Sequence, residues 1–362
     1  MAAITTSTLI AAMILTIVTS AQSLLTTASK NEKGGYDYNV ATVPLLSELL
    51  KLTVSALALY REYSHNPVSL KITTDWRSIM LFPVPSLIYL AHHSITFPML
   101  ALVDPSTYQI LGNLKIVTTG LASKWVLGKR LSQLKWISLM LLMFGATTSQ
   151  LSGSKGAGLF AAPIMGYLLG VLNACLSAFA GVYTEFLMKK NDDSLHWQNL
   201  QLYTFGVIFN IVRLTLEDIS DGFERGAWPL TIFHGYTTIT FFVVANLAFS
   251  GLLVSFVMKY ADTIAKVFAT SLAMMLTPIA SFIFFGYQPT LALLLGIAVS
   301  CTAVHLYYAN SKDLTDVKER ETLGKSSSFP SQGTDGQKSS SFGNLVLGST
   351  DTSGLDSNKT NV

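Results

Sequence analysis

The chain has 362 residues, of which 50% are hydrophobic and 12% are charged, and its formal net charge is +3. Ordinary soluble domains contain about 25% charged residues, so this composition excludes a soluble globular protein and indicates many membrane spans. The small net charge and the lack of basic runs with interleaved aromatic residues argue against a nucleic-acid partner.

Apolar stretches of the roughly 20 residues needed to cross a bilayer recur along the chain. They lie near residues 4–27, 40–60, 79–100, 104–125, 133–151, 159–188, 198–217, 237–258, 262–285 and 289–309. The pattern predicts an all-α membrane protein with ten transmembrane helices and both termini on one side. No basic segment precedes the first stretch, so we expect a retained helix and not a cleaved signal peptide.

Lys and Arg residues are distributed unevenly between the two sides of this arrangement. The side that carries the termini has 13 of them and the other side has 5. The positive-inside rule therefore predicts that both termini are cytosolic. Residues 312–362 are rich in Ser, Gly, Asp and Thr, and we expect a disordered cytosolic tail because they can bury little apolar surface.

Two short segments resemble each other, and each begins with a lysine in an apolar helix. KIVTTGLA starts at Lys115 in the fourth helix, and KVFATSLA starts at Lys266 in the ninth. Five spans separate them, so the copies cross the membrane in opposite directions, as in the inverted repeats of many secondary transporters. We predict two inverted five-helix repeats, residues 1–151 and 152–311, followed by the tail at 312–362.

Lys51, Lys115 and Lys266 lie inside apolar, helix-length stretches. A basic side chain near the bilayer centre costs about 2.5–3.5 kcal/mol on insertion scales, so it persists when it is paired or faces a watery cavity. Three such cations predict a cavity for an anion. Each has an alternative: Glu48 can pair with Lys51, which we favour there, Asp262 can pair with Lys266, and Lys115 can extend to an interface.

Polar side chains around these lysines would complete a ligand site. Tyr108 and Lys115 share one face of the predicted fourth helix, and Lys266 and Thr270 share one face of the ninth. An ammonium group serves as a point charge for phosphate, so the two lysines could hold one phosphate between the repeats.

The seventh predicted helix presents Asn199 and Tyr203 to one side, either as contacts between helices or as partners of a nucleobase or sugar. Arg61, at the cytosolic end of the second helix, either guides an anion inward or anchors the helix. His92 and His93 are adjacent and point about 100° apart on a helix, so at most one faces the cavity. The sequence contains no nucleophile elbow, phosphate-binding glycine loop or zinc cluster, so we expect no catalytic residue, metal or cofactor.

Five segments carry a resemblance to the nucleotide-sugar transporters of the Golgi, most closely to the CMP-sialic acid transporter group with its plant members. They are PSLIY at 85–89, DPSTYQILGNLK at 104–115, GVYTE at 181–185, QNLQLY at 198–203 and GLLVSFVMKYADTIAK at 251–266. The likeness extends over about residues 1–310. It implies a ten-helix drug/metabolite-transporter fold and strict exchange of a cytosolic nucleotide sugar for the lumenal nucleoside monophosphate.

The resemblance also implies that the positions of Lys115 and Lys266 serve the nucleotide, with Tyr108, Asn199 and Tyr203 lining the cavity. Two positions depart from the family pattern. Arg61 stands where relatives often have lysine, and the Ala-His-His-Ser segment at 91–94 stands where relatives usually have two asparagines. The second departure bears on the specificity for the base or the sugar.

We therefore expect an antiporter of the Golgi membrane that exchanges a CMP-sugar, CMP-sialic acid or a related one, for CMP by alternating access. A UDP-galactose or other UDP-sugar/UMP antiporter is the alternative, and the sequence leaves open whether the protein is a homodimer. A membrane-embedded transferase would need a reactive dyad or a carboxylate pair for a metal, which the sequence lacks; a scaffold would depend on the tail. The expected substrate-binding residues are Lys115, Lys266, Tyr108, Asn199, Tyr203, Arg61, Tyr89, His93 and Thr270.

Overall fold

The computed structural model describes residues 6–32, 35–65, 70–103, 105–150, 162–224, 226–285 and 290–309. Every regular element in these ranges is an α-helix. In chain order the helices are α1 (Thr6–Ala28), α2 (Thr42–His65), α3 (Trp76–Ile79), α4 (Pro83–Leu102), α5 (Pro105–Gly112), α6 (Leu114–Val126), α7 (Gln133–Gln150), α8 (Ile164–Lys190), α9 (Leu195–Ser220), α10 (Trp228–Thr231), α11 (Thr238–Tyr260), α12 (Thr263–Phe285) and α13 (Leu291–Tyr308). The predicted tail lies outside the described residues.

The helices confirm an all-α membrane protein. Within the described ranges, seven helical segments are long and apolar enough to cross a membrane: Thr6–Ala28, Thr42–His65, Trp76–Thr96, Ile164–Lys190, Thr238–Tyr260, Thr263–Ile283 and Leu291–Tyr308. Each of the ten predicted windows contains helix, but the count of ten crossings stays a prediction.

The fourth predicted helix is divided in two, which differs from the expectation of one helix over 104–125. Asn113 separates α5 from α6, and the backbone tightens there because the Ile116 N–H donates to the Asn113 carbonyl, only three residues earlier. The Asn113 side chain is buried and its amide donates to Thr147 and Gln150 of α7, at 3.4 Å and 3.3 Å. Interrupted helices recur at transporter binding sites, and this interruption lies two residues before Lys115.

The tightest helix pair is α7 with α13, and it depends on small residues. A Cβ added at Gly145 would approach the Gly296 carbonyl oxygen to 2.9 Å, and one added at Gly296 would approach the Gly145 carbonyl oxygen to 2.6 Å. The Ser138 hydroxyl also donates to the Ala303 carbonyl at 2.9 Å. Small side chains that let two backbones approach closely are typical of helix pairs in membranes.

Large apolar side chains cover the outer surface of the helices. Ile17, Leu57, Phe144, Phe242 and Leu294 are each more than half exposed. Such a surface would promote aggregation of a soluble protein, but it suits contact with lipid tails.

Polar contacts define two opposite faces of the helix bundle. On the Lys129 face, where α6, α8 and α11 end and α9 and α12 begin, Lys129 pairs with Glu185 at 2.7 Å and Lys259 donates to Gln198 at 2.8 Å. On the Tyr236 face, where α2 and α11 begin, the Tyr236 and Thr42 hydroxyls lie 2.6 Å apart. Burial raises the pKa of the Tyr236 phenol, so the bridge between these two hydroxyls keeps its protons.

Candidate substrate cavity

A cavity of about 280 Å³ lies among α2, α4, α8, α9 and α11. Its wall contains Tyr89 of α4 and Tyr203 of α9, two of the residues expected to bind substrate. The other polar residues that line it are Glu48, Lys51, Ser86, Thr184, Asn210, Arg213 and Ser255. With Phe209, which also lines it, the cavity combines three aromatic rings with both signs of charge.

Glu48 and Lys51 form the charged part of this wall. The Lys51 ammonium donates to the Glu48 carboxylate at 2.6 Å, and Lys51 is only 8% exposed. The predicted pair within the helix is thus formed. The same ammonium lies 4.5 Å from the centre of the Tyr203 ring, a distance at which a cation attracts the face of an aromatic ring.

Two glycines make room for this pair. A Cβ added at Gly206 of α9 would lie 2.8 Å from a Glu48 carboxylate oxygen, and one added at Gly251 of α11 would lie 2.7 Å from Cδ of Lys51. Neither glycine has a positive φ, so the constraint is space and not backbone conformation. The sequence placed Gly206 on the face of Asn199 and Tyr203, but its contact with α2 depends on the packing of the helices.

Tyr203 is held from behind by α11. Its hydroxyl lies 2.6 Å from the Ser255 hydroxyl and donates to the Gly251 carbonyl at 3.3 Å. The side chain is 3% exposed. These contacts keep the ring against Lys51 and leave it little freedom to rotate.

Lys115 of α6 and Lys266 of α12 lie within electrostatic range of each other and of His92. Both lysines are partly buried. Among the described residues neither of them forms an ion pair or a side-chain hydrogen bond. The structure thus brings together two cations from the two similar segments without a compensating acid.

The alternative of a Lys266–Asp262 ion pair is wrong. One Asp262 oxygen pairs with Lys129 at 3.3 Å, and the other accepts the Ala265 N–H at 2.7 Å. Lys266 extends the other way, so that its ammonium lies 4.0 Å from the position of a Cβ added at Gly181. Met258, which lines the cavity, has its Cε 3.8 Å from the same Cβ position, so Lys266 lies beside the cavity wall.

The other expected binding residues have separate positions. Asn199 is 1% exposed, and its side-chain oxygen has no hydrogen-bond partner within the described ranges. Thr270 is partly buried on α12 and donates to its own helix, at the Val267 carbonyl. Tyr108 is partly buried on α5, before the interruption, while Arg61 is exposed near the end of α2.

The side chain of His93 lies outside the described residues. Its neighbour His92 approaches the Asn173 carbonyl of α8, with 3.2 Å between Nδ1 and the oxygen. In the described ranges no group of three or more His, Cys, Asp or Glu side chains is arranged to hold a metal ion.

Sequence reasoning missed Arg213 in the cavity wall and the charged group Glu185 on α8, which is 0% exposed. Lys129 and Lys189 both donate to its carboxylate at 2.7 Å. The argument that singled out lysines in apolar helices applies equally to acids. It would have found Glu185, and the i,i+4 spacing would have found Lys189.

Comparison with known proteins agrees with this architecture. A family model described as "Nucleotide-sugar transporter" matches residues 4–308. CMP-sialic acid transporter 1 of Arabidopsis thaliana is 53% identical over 310 residues, which cover 84% of this chain and 91% of that protein. CMP-sialic acid transporter 1 of Oryza sativa subsp. japonica is 52% identical over 301 residues, 82% of this chain and 92% of that protein.

Two further comparisons extend the likeness. CMP-sialic acid transporter 4 of Arabidopsis thaliana is 38% identical over 298 residues, 82% of this chain and 83% of that protein. A solved crystal structure superposes with a TM-score of 0.60 at 16% identity, covering 83% of this chain and 97% of the other. At that identity the superposition supports the fold alone.

Proposed function

Since the chain belongs to the nucleotide-sugar transporter family, we propose that it is an antiporter of the Golgi membrane, exchanging a cytosolic CMP-sugar for lumenal CMP. The observation that carries this proposal is the lysine pair Lys115 and Lys266, which forms no ion pair in the described ranges and lies beside a cavity with charged and aromatic side chains in its wall. Uncompensated cations inside a membrane protein are costly, so a recurring anionic ligand accounts for them best. No enzymatic step is proposed.

The cavity wall suits the remainder of a nucleotide. With phosphate at Lys115 and Lys266, the base would lie against the Tyr203 ring, since aromatic rings stack on bases of any kind. Glu48 can accept a hydrogen bond from an amine of the base and Lys51 can donate to a carbonyl. Asn199 brings a buried oxygen that has no partner in the described ranges. Tyr108, Tyr89, Arg61, His93 and Thr270 remain proposed contributors.

The transport cycle would be alternating access between two inverted five-helix repeats, residues 1–151 and 152–311, in a ten-helix arrangement. The similar segments at 115–122 and 266–273 support it, because their lysines approach each other from α6 and α12. Exchange follows if the closed intermediate forms only once cargo neutralises both lysines. The excess of Lys and Arg on the side of the termini supports a cytosolic location of that side, and of the tail at 312–362.

The choice of CMP rests on the names of the relatives, all three of which are CMP-sialic acid transporters. A UDP-sugar/UMP antiporter is the second candidate. The departure from the family pattern at 91–94 bears on this choice, and His92 in that segment contacts the α8 backbone.

The test is exchange in proteoliposomes that are preloaded with CMP and supplied with labelled CMP-sugar outside. We expect uptake by the wild type that depends on internal CMP, and a loss of at least about tenfold in Lys115→Ala and Lys266→Ala. A hydrogen bond to a charged group contributes about 1.5–3 kcal/mol, which corresponds to about 10- to 150-fold. Lys124→Ala, an exposed lysine in the last turn of α6, is the matched control. Near-normal exchange by both folded variants would contradict the proposal, and uptake supported only by internal UMP would move the assignment to UDP-sugars.

A further inference from the structure

Glu185 is a fully buried carboxylate in an apolar helix of 27 residues. Leaving such a charge unpaired costs several kcal/mol. Both of its oxygens are occupied: one accepts from Lys129 and Lys189 at 2.7 Å each, and the other accepts the Thr263 N–H at 2.8 Å. Removing one of these donors would therefore leave the buried carboxylate less well compensated, which is costly.

The donors come from three different parts of the chain. Lys129 lies in the connection between α6 and α7, Lys189 lies in the last turn of α8, and Thr263 is the first residue of α12. Lys129 also pairs with Asp262 at 3.3 Å, and Lys189 donates to the Ala261 carbonyl. Lys129 thus joins the first proposed repeat to the turn between α11 and α12 in the second.

This cluster lies one helical turn from the proposed phosphate site, on the side of the Lys129 face. Gly181 lies beside Lys266, and one turn further along α8 Glu185 lies beside Thr263. Lys129 and Lys189 are partly exposed, with 27% and 36% of their side chains accessible, whereas Glu185 has 0%. The cluster therefore lies between the Lys129 face and Lys266 along α8.

We propose that Lys129, Glu185, Lys189 and Asp262 form the closed gate of the Lys129 face. The inference rests on the proposed function, because only a carrier that exposes its site to both sides needs such a gate. Opening must separate Lys129 from Glu185 and Asp262, since these contacts join the two repeats. Glu185 remains paired with Lys189, a neighbour on its own helix. The carboxylate therefore does not become fully unpaired, which limits the free-energy cost of opening. Weakening the Lys129 contacts shifts the protein toward states open on this face.

The test is thiol labelling from the Lys129 face in the absence of nucleotide. The reporter is Thr184→Cys, a position in the cavity wall that is 4% exposed, in a Cys175→Ala, Cys301→Ala background. A membrane-impermeant, uncharged maleimide is added outside proteoliposomes. The protein can insert into the liposome in two orientations. Labelling of Lys124→Cys, which is exposed at the end of α6, measures the fraction of molecules whose Lys129 face points outward.

We expect Lys129→Gln to raise the labelling rate several-fold. Loss of a nearby cation would by itself lower the thiolate fraction and slow the reaction, so faster labelling reports opening and not altered reactivity. Glu185→Gln should raise the rate too, but loss of the adjacent anion also increases the thiolate fraction, so Lys129→Gln is the deciding variant. Arg130→Gln is the matched control, because it removes the adjacent charge, which is exposed and forms no ion pair among the described residues.

An unchanged rate in Lys129→Gln would overturn the gate, as would an equal rise in Arg130→Gln. If Glu185→Gln does not fold, Lys129→Gln decides alone, since its partly exposed side chain tolerates replacement better. The two proposals fail separately. If Lys129→Gln leaves the labelling rate unchanged while the wild type exchanges CMP, only the gate is contradicted. If Lys129→Gln raises the labelling rate but the wild type exchanges no nucleotide, only the proposed function is contradicted.

Discussion

At the scale of single residues, charge in an apolar setting was the informative signal. Lys115 and Lys266 stood out in the sequence because lysine is costly within a helix that faces lipid or packed side chains. The structure finds both without an ion-pair partner in the described ranges and close enough to interact electrostatically. The partner of Lys51 could be predicted because three residues separate it from Glu48. The partner of Asp262 could not, because Lys129 is distant in sequence.

Tyr203 allows the ring and the hydroxyl to be tested separately. Tyr203→Phe keeps the ring against Lys51 and removes the bond to Ser255, so we expect about 1 kcal/mol less stability and nucleotide affinity within about threefold. Tyr203→Leu removes the stacking surface, which is worth about 1–3 kcal/mol per base, and should weaken binding about 5- to 150-fold. Thermal unfolding and equilibrium nucleotide binding would measure the two effects. Equal affinity of the Leu variant and the wild type would rule out base stacking on this ring.

At the scale of helices, hydropathy predicted where helices lie, while packing decided where they are interrupted. All ten windows contain helix. The division at Asn113 was missed because its cause, side-chain bonds from Asn113 to Thr147 and Gln150 of α7, joins distant segments. The cavity wall was missed in part for the same reason. Spacing predicted that Asn199 and Tyr203 share a face of α9, but not that α2 packs so closely against that helix.

The close approach of α2 and α9 at Gly206 gives a prediction at this scale. In Gly206→Ala the added methyl would lie 2.8 Å from Glu48, so the carboxylate must move and its contact with Lys51 must change. We expect an overpacking cost of about 1–3 kcal/mol in stability together with weaker nucleotide binding. In Gly35→Ala the added methyl meets only the Asn31 side chain, at 3.6 Å or more, and should change neither quantity. Unaltered binding by a folded Gly206→Ala variant would show that the Glu48–Lys51 pair does not contact the ligand.

At the scale of the whole molecule, the features of the fold agree with one another. The outer surface is apolar, the charged side chains lie in the cavity and at the two faces of the bundle, and the lysines of the two similar segments lie within electrostatic range of each other. The family could be inferred from the sequence because its motifs are the segments that build these features. The physiological sugar could not, because the contacts proposed from the sequence are to the phosphate and the base and none is assigned to the sugar.

The central claim is that the cavity beside Lys115 and Lys266 binds a nucleotide, and thermal unfolding of the purified protein with a panel of nucleoside monophosphates tests it most directly. A ligand at about 100 times its dissociation constant adds about 2.7 kcal/mol to the stability of the folded state. We predict that CMP raises the unfolding temperature of the wild type and of Lys124→Ala, and that the shift is lost in Lys115→Ala and Lys266→Ala. A larger shift with UMP than with CMP would still support nucleotide binding in the cavity, but it would change the proposed cargo to a UDP-sugar. Unfolding temperatures that no nucleotide alters would contradict the claim.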